Sequence, residues 1–183
     1  MRLKSILKSW LPFAVVISAF SMLAYASVQQ AYRQGADDPQ IQMANDAAEA
    51  LLNGQNAEAI VPRVKVSVAK SLAPFYIIYD NNGNEIASSV TLDGKTPELP
   101  DGVLDSTRQL GENRVTWQPA GNVRIAAVIV AYRDGFILSG RNMREVEERE
   151  AQVGLFAGLT WILAMAGTLV VIAFGEFFLT EKK

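Results

Sequence analysis

The sequence predicts an α+β protein in which two membrane-spanning helices flank one mixed domain. Two long apolar runs lie near the ends of the 183-residue chain. Between them, a helical stripe of apolar residues is followed by a β-hairpin pattern and by further strand patterns. The chain length suits one modest domain rather than two.

The two apolar runs cover residues 10–28 and 151–175. Each is about as long as the ~20 residues that a helix needs to cross a hydrocarbon core of ~30 Å. The core of the second run, Leu155 to Phe174, has no polar residue beyond Thr160 and Thr168. A domain of this size could not enclose a helix that is apolar on every side, so we expect both runs to span a membrane.

Basic residues flank the two runs at the ends of the chain: Arg2, Lys4, Lys8, Lys182 and Lys183. The positive-inside rule therefore predicts cytoplasmic tails over residues 1–9 and 176–183. Residues 29–150 would then form the extracytoplasmic domain of a two-pass protein in the cell (plasma) membrane.

A cleaved signal peptide is the alternative for the N-terminus. Lys8 closes a basic region, Leu11 to Leu23 forms an apolar region, and Ala24-Tyr25-Ala26 has the small-x-small form of a cleavage site. Cleavage after Ala26 would leave a protein anchored by the second run alone. Under both interpretations the middle domain is extracytoplasmic.

The composition excludes several classes of function. Without Cys or His, the chain can form no disulfide framework, no zinc site of the usual type and no thiol or imidazole catalytic site. With 17 basic residues against 19 acidic ones, it has no excess of positive charge with which to bind nucleic acid. No nucleophile and base occur at a recognisable spacing, so we expect neither an enzyme nor a metal or cofactor site.

The middle domain begins with a helical pattern. Asp38-Pro39 is typical of a helix start, and Asn53-Gly54 is typical of a helix end. Between them, apolar residues recur at spacings of three and four: Ile41, Ala44, Ala48, Leu51 and Leu52. We expect Gly35 to interrupt the path from the first span into this helix.

A β-hairpin follows, with arms at residues 75–80 and 85–89 and a turn at Asn82-Gly83. Asp80, Asn82 and Asn84 imitate the first ligands of a calcium loop, but the EF-hand pattern requires Gly where Glu85 stands. The turn is therefore the preferred interpretation. An alternating segment before the hairpin, Val64 to Val68, is compatible with a short strand.

The remaining segments are a short helix, three strands and a last helix. The helix over 103–110 is stopped by Gly111, and the strands cover 114–118, 123–132 and 135–140. From Asn142 onward, opposite charges four residues apart predict a helix that enters the second span without a break.

This order of elements resembles the Cache or PAS-like extracytoplasmic sensor domains of bacterial two-span receptors. Phe75 to Ser89 looks like that family's first hairpin, in which a strand ending in Asp precedes a Gly turn. The resemblance covers residues 27–150. It implies one five-stranded antiparallel sheet, a long N-terminal helix, and a small ligand between the sheet and the segments packed across it. Such receptors continue into an output module, whereas about eight residues follow Gly175.

Arg124 is the candidate ligand anchor, because it interrupts the apolar strand 123–130. Period two places it on one face with Ala126 and Tyr132. We expect it to hold a small anionic group in a cavity lined by Trp117, Tyr132 and Tyr76. The alternatives are a salt bridge to a nearby carboxylate for Arg124 and core positions for the aromatic residues.

Gly154 and Gly158 form a G-x-x-x-G pair in the second span, and Ala14 and Ser18 form a small-residue pair in the first. Such pairs allow two helices to approach closely. The pattern does not distinguish packing within the chain from a homodimer.

Two classes of function follow. In the first, a membrane-anchored sensor-like or regulatory protein binds a small ligand or a protein outside and signals through a membrane or envelope protein partner. In the second, a non-sensing envelope module uses the same fold for interaction or assembly.

Overall fold

The computed structural model describes residues 2–178, which form two compact units. The helix-pair unit contains the residues up to Tyr32 and those from Glu148 onward, and the sheet unit contains Arg33–Glu147. The helices and strands, in chain order, are α1 (Arg2–Leu52), α2 (Ala57–Ile60), β1 (Val66–Ser67), β2 (Phe75–Asp80), β3 (Glu85–Ser88), β4 (Val90–Thr91), α3 (Val103–Leu110), β5 (Glu112–Ala120), β6 (Val123–Tyr132), β7 (Gly135–Asn142) and α4 (Arg144–Phe178).

α1 is one continuous helix of 51 residues. The predicted interruption at Gly35 and the predicted new helix at Asp38-Pro39 are both wrong. A proline inside a helix has no N–H for the carbonyl four residues earlier, and its ring crowds that carbonyl. Here the earlier residue is Gly35, and the helix continues past Pro39 to Leu52 despite this local cost.

The predicted helix end at Asn53-Gly54 is confirmed. Gly54 has a φ of +87°, and its amide donates to the Leu51 carbonyl at 3.0 Å. The Gln55 amide donates to the Ala50 carbonyl, also at 3.0 Å. These two bonds form a Schellman motif, in which a left-handed glycine lets the last carbonyl groups of the helix find donors.

Five strands form one antiparallel sheet in the order β3-β2-β7-β6-β5. The predicted hairpin is β2 with β3, and the later predicted strands are β5, β6 and β7, of which β5 and β7 are longer than expected. β7 lies at the centre, between β2 and β6. β5 is an edge strand, and its register shifts between Trp117 and Ala120. β1, at the alternating valines, pairs in parallel with β4.

The two faces of the sheet bury different apolar clusters. On the first face, small residues of α1, among them Ala44 and Ala48, pack with Val128 and Ile137. On the second face, Phe75, Ile129 and Leu138 are covered by residues of α3 and of the segment that precedes it. β2, β6 and β7 are buried along most of their length, which is what a sheet covered on both faces requires.

α4 follows the last strand after one residue. The Asn142 side-chain oxygen accepts the Arg144 amide at 2.7 Å, which satisfies one of the free N–H groups at the helix start. Its amide nitrogen donates to the Val68 carbonyl at 2.6 Å. From Arg144 the helix continues to Phe178, so the predicted continuous helix is confirmed, with a start two residues later.

α1 and α4 are both long and apolar enough to cross a membrane. The most apolar windows of the two helices have mean hydropathies of 1.9 and 2.2. Polar side chains link the two helices within the helix-pair unit. Trp10 donates from Nε1 to the Met165 carbonyl and the Thr168 hydroxyl, both at 3.2 Å, and Trp161 donates to the Ser18 hydroxyl at 3.0 Å. Lys182 and Lys183, which carry part of the topology prediction, lie outside the described residues.

Candidate functional site

A cavity of about 520 Å³ lies on the second face of the sheet, at the end where β2 turns into β3. Its walls are the β2–β3 turn, residues 96–102 and α3. This volume falls within the range of small-molecule sites, ~300–1,000 Å³. We take it as the candidate functional site and call it the hairpin cavity.

The β2–β3 turn is held by the Asp80 carboxylate. Asp80 accepts the backbone amides of Asn82 and Asn84 at 2.8 Å and the Asn84 side-chain amide at 2.9 Å. These donors, with the Asn84 side chain foremost, hold the pKa of Asp80 below its usual range. The spacing that imitates a calcium loop is thus an Asx-type turn with the carboxylate occupied by protein donors.

Gly83 brings this turn against α3. Its φ is +84°, and a Cβ built there would lie 3.1 Å from Leu104 Cδ1. A side chain at this position would therefore combine a disfavoured backbone conformation with a tight contact. Glycine allows the hairpin to form one wall of the cavity.

Arg108 fixes α3 to the hairpin. Its guanidinium donates to Asp105 Oδ1 at 2.7 Å and to the Asn81 carbonyl at 2.8 Å. The same group lies over the Phe136 ring, 5.1 Å from its centre, within the range of a cation–π contact. Three contacts thus restrain the one cation in the cavity wall.

Tyr79 is the buried polar residue of the cavity. Only 8% of it is exposed, and it lines the cavity wall. Burial and the neighbouring Glu85 carboxylate raise the pKa of Tyr79, so its hydroxyl is a hydrogen-bond donor at neutral pH. No hydrogen-bond partner for this hydroxyl occurs among residues 2–178.

Acidic side chains surround the cavity. Glu85, Glu98, Asp101 and Asp105 all lie in its wall, opposite the single guanidinium of Arg108. Their formal sum is a net charge of −3. Asp105 is paired with Arg108 and Glu85 lies 3.8 Å from Lys65 Nζ, whereas Glu98 and Asp101 have no ion-pair partner in the described part of the chain.

Arg124 is not part of this cavity. It is exposed and donates to Glu147 Oε1 at 3.4 Å. The expected cavity shared with Trp117 is wrong, because Trp117 pairs with Ile125 across β5 and β6 and therefore lies on the opposite face of the sheet. The structure shows the salt bridge that the sequence left open as the alternative.

The three aromatic candidates are separated. Trp117 packs against the second-face cluster and donates from Nε1 to the Glu98 carbonyl at 3.0 Å. Tyr76 and Tyr132 pack against the first-face cluster, and the Tyr76 hydroxyl makes a long contact of 3.5 Å to the Met43 carbonyl. Trp117 therefore positions the cavity segment 96–102, and the two tyrosines pack on the α1 side.

The glycine pair of the second span has two different environments. A Cβ at Gly154 would lie 3.5 Å from the Tyr25 hydroxyl, whereas a Cβ at Gly158 would have nothing within 4 Å. Ser18, from the pair in the first span, accepts the Trp161 indole. Gly154 thus packs on α1 of the same chain, and Gly158 borders an open groove between the two helices.

Sequence reasoning missed the residues that form the hairpin cavity. Two signals could have found them. Period two along β2 places Phe75, Ile77 and Tyr79 on one face, with the tyrosine at the hairpin end. The acids from Glu98 to Asp105, followed by Arg108 three residues later, could then have been placed opposite that tyrosine.

Comparisons with known proteins do not assign the chain to a family: no protein-family profile, no curated protein and no solved structure matches it.

Proposed function

We propose that the chain is a two-pass protein of the cell membrane whose extracytoplasmic sheet unit binds a small ligand and signals to a membrane partner through its two long helices. The resemblance to Cache or PAS-like sensor domains supports this proposal at the level of element order. The contacts of one strand, β7, support it at the level of residues.

β7 contacts a residue of the cavity wall, Arg108, and both helices. Phe136 on its second face lies under the Arg108 guanidinium. Ser139 on its first face donates to Gln40 of α1 at 3.0 Å. Asn142 at its end accepts the first amide of α4. A displacement of β7 on ligand binding would therefore act on α1 and α4 together, and this is the observation that carries the proposal.

The start of α4 and the C-terminal part of α1 are both bonded to the sheet unit. Arg141 donates to Glu145 at 3.3 Å, and Arg144 donates to the Lys70 carbonyl at 3.4 Å. Gln40 is 2% exposed and Ser139 is fully buried, so their hydrogen bond is protected from water. Because α1 and α4 are each unbroken, the same helices that contact the sheet contain the apolar segments.

The polar links between α1 and α4 favour an uncleaved first span. Trp10 and Ser18 both precede the alternative cleavage point and both hydrogen-bond to α4. Cleavage after Ala26 would leave the Trp161 and Thr168 side chains without these partners in an apolar environment.

Spin labels on introduced cysteines test the proposal, because the chain has no cysteine of its own. Labels at Val15 and Val170, both exposed, would report the distance between α1 and α4 in nanodiscs. We expect a compound that raises the thermal midpoint of the full chain to change this distance. In a Gln40→Leu/Ser139→Ala variant, the midpoint should still rise and the distance change should be smaller.

The assembly alternative gives a different result. An envelope protein that co-purifies in fixed ratio, together with no thermal response to any member of a small-molecule panel, would contradict the sensor proposal. That outcome would favour the alternative function, a non-sensing envelope module that interacts with or assembles other proteins.

A further inference from the structure

The hairpin cavity contains one polar group that the fold does not use. Tyr79 is 8% exposed and lines the cavity, and its hydroxyl has no hydrogen-bond partner among residues 2–178. In that part of the chain the one buried side-chain atom without a partner is Arg141 Nε, so the Tyr79 hydroxyl is open to the cavity rather than enclosed by protein. The hydroxyl can therefore donate to an oxygen or nitrogen acceptor inside the cavity.

The charge around this hydroxyl is negative. The carboxylates of Glu98 and Asp101 line the cavity without an ion-pair partner in the described part of the chain. Glu85, the cross-strand neighbour of Tyr79, adds a third carboxylate whose Lys65 contact is long, at 3.8 Å. A concave site lined by one sign of charge concentrates ligands of the opposite sign.

The guanidinium of Arg108 does not reverse this preference. It is already bonded to Asp105 and to the Asn81 carbonyl, and it lies over Phe136. An anion would have to compete with Asp105 for this group and would also face the other three carboxylates. A cation meets no such competition at Glu98 and Asp101.

We propose that the hairpin cavity binds a small organic cation, an amine that also carries a hydrogen-bond acceptor, with the ammonium at Glu98 and Asp101 and the acceptor at the Tyr79 hydroxyl. This inference rests on the proposed function and names the ligand class of its site. It replaces the anionic ligand that the sequence predicted at Arg124.

A matched series of four-carbon probes tests both halves of the proposal. 4-Amino-1-butanol carries an ammonium and an acceptor, 1-aminobutane carries an ammonium alone, 1,4-butanediol is neutral and 4-hydroxybutanoate is an anion. Binding to the full chain in nanodiscs is measured by ligand-observed NMR. We expect 4-amino-1-butanol to bind most tightly, 1-aminobutane less tightly, and the neutral and anionic probes not measurably.

Variants separate the two contacts. Glu98→Gln/Asp101→Asn should weaken binding of both amines about tenfold or more, since charge-assisted hydrogen bonds are the stronger ones. Tyr79→Phe should weaken 4-amino-1-butanol roughly threefold to tenfold, the range of one neutral hydrogen bond, and leave 1-aminobutane unchanged. Glu49→Gln, an exposed charge on α1, is the control and should alter neither.

Three results would overturn the inference: no binding of either amine, tighter binding of 4-hydroxybutanoate, or equal losses of amine binding in the Glu49→Gln control. The variant sites at Glu98 and Asp101 are exposed, so these substitutions leave the fold intact and keep the test decisive. Ligand-observed NMR measures binding independently of the distance between α1 and α4. Amine binding without a change in the α1–α4 distance would therefore retain the site and reject the sensor proposal.

Discussion

Gln40 and Ser139 form the buried polar contact between α1 and the sheet. Ser139 donates to Gln40 Oε1 at 3.0 Å across an interface that is otherwise built from small and branched apolar residues. A polar pair inside an apolar contact fixes one register, because every shifted packing would leave both groups without a partner. The pair therefore specifies where α1 sits on β7 more than it adds to stability.

Removing one member of this pair should cost more than removing both. Gln40→Leu leaves the Ser139 hydroxyl buried and unpaired, and we expect a loss of about 1–3 kcal/mol in the free energy of unfolding. Gln40→Leu/Ser139→Ala should recover most of that loss. Thermal melts of the full chain in detergent, combined in a double-mutant cycle, measure the effect. Additive losses would show that the hydrogen bond does not couple the two residues.

Asp80 makes the hairpin turn depend on pH. The folded-state pKa of its carboxyl is lowered by the Asn84 and Asn82 donors, so the ionised form favours the folded state. This contribution is complete above the unfolded value of 3.8 and is lost as the pH falls through the folded pKa. Asp80→Asn should lower the thermal midpoint at pH 7, and this effect should shrink as the pH falls below 3.8. An effect that stays constant as the pH falls would contradict the prediction.

Arg124 shows what a strand pattern can and cannot predict about a single residue. Period two correctly placed Arg124 on the face that also holds Val128 and Val130. The pattern could not show that Glu147, 23 residues later, would meet it where α4 begins. Both side chains are about half exposed, so this salt bridge contributes only ~0–1 kcal/mol. The two-residue period of a strand predicts which face of the sheet a residue occupies, whereas its role depends on contacts that form only in the folded structure.

Among the elements, α1 departs most from expectation. Local signals at Asp38-Pro39 favour a helix start, but the chain continues through them as one helix. An interior proline costs ~3 kcal/mol. This local cost is outweighed by the packing of the following residues, Gln40 to Ala48, on the sheet. Tertiary burial of this kind is not visible in a local sequence signal.

Replacing this proline should strengthen α1. Pro39→Ala restores an N–H that can donate to the Gly35 carbonyl, and we expect a gain of about 1–3 kcal/mol together with slower hydrogen exchange over residues 36–43. Hydrogen exchange with mass spectrometry on the full chain in nanodiscs measures this. Unchanged exchange would mean that the proline does not weaken the helix locally.

Strands and turns were predicted more accurately than the site. The hairpin, α3 with its stop at Gly111, and the three later strands all appear close to their predicted limits, because Asn-Gly turns and alternating residues act locally. The hairpin cavity forms from β2, residues 96–102 and α3, which meet only after folding. The strand period of β2 and the charge spacing before Arg108 each mark one part of its wall, but neither signal shows that the parts meet.

At the scale of the whole molecule, the expected topology stays a prediction. Labelling of single cysteines in intact cells with a membrane-impermeant maleimide tests it. Gln55→Cys, in the sheet unit, should react from outside, and Ser5→Cys should react only after the membrane is permeabilised. Reaction of Ser5→Cys in intact cells would reverse the topology, and loss of the Ser5 segment from the mature protein would select the cleaved alternative.

β5 leaves one edge of the sheet open, but it is a poor template for another chain. Pro119 has no N–H to donate, and the register shift between Trp117 and Ala120 distorts the ladder at the same point. Straight, uninterrupted edges invite strand addition and fibre growth. The open edge at β5 is therefore protected against strand addition by other chains and against growth into cross-β aggregates.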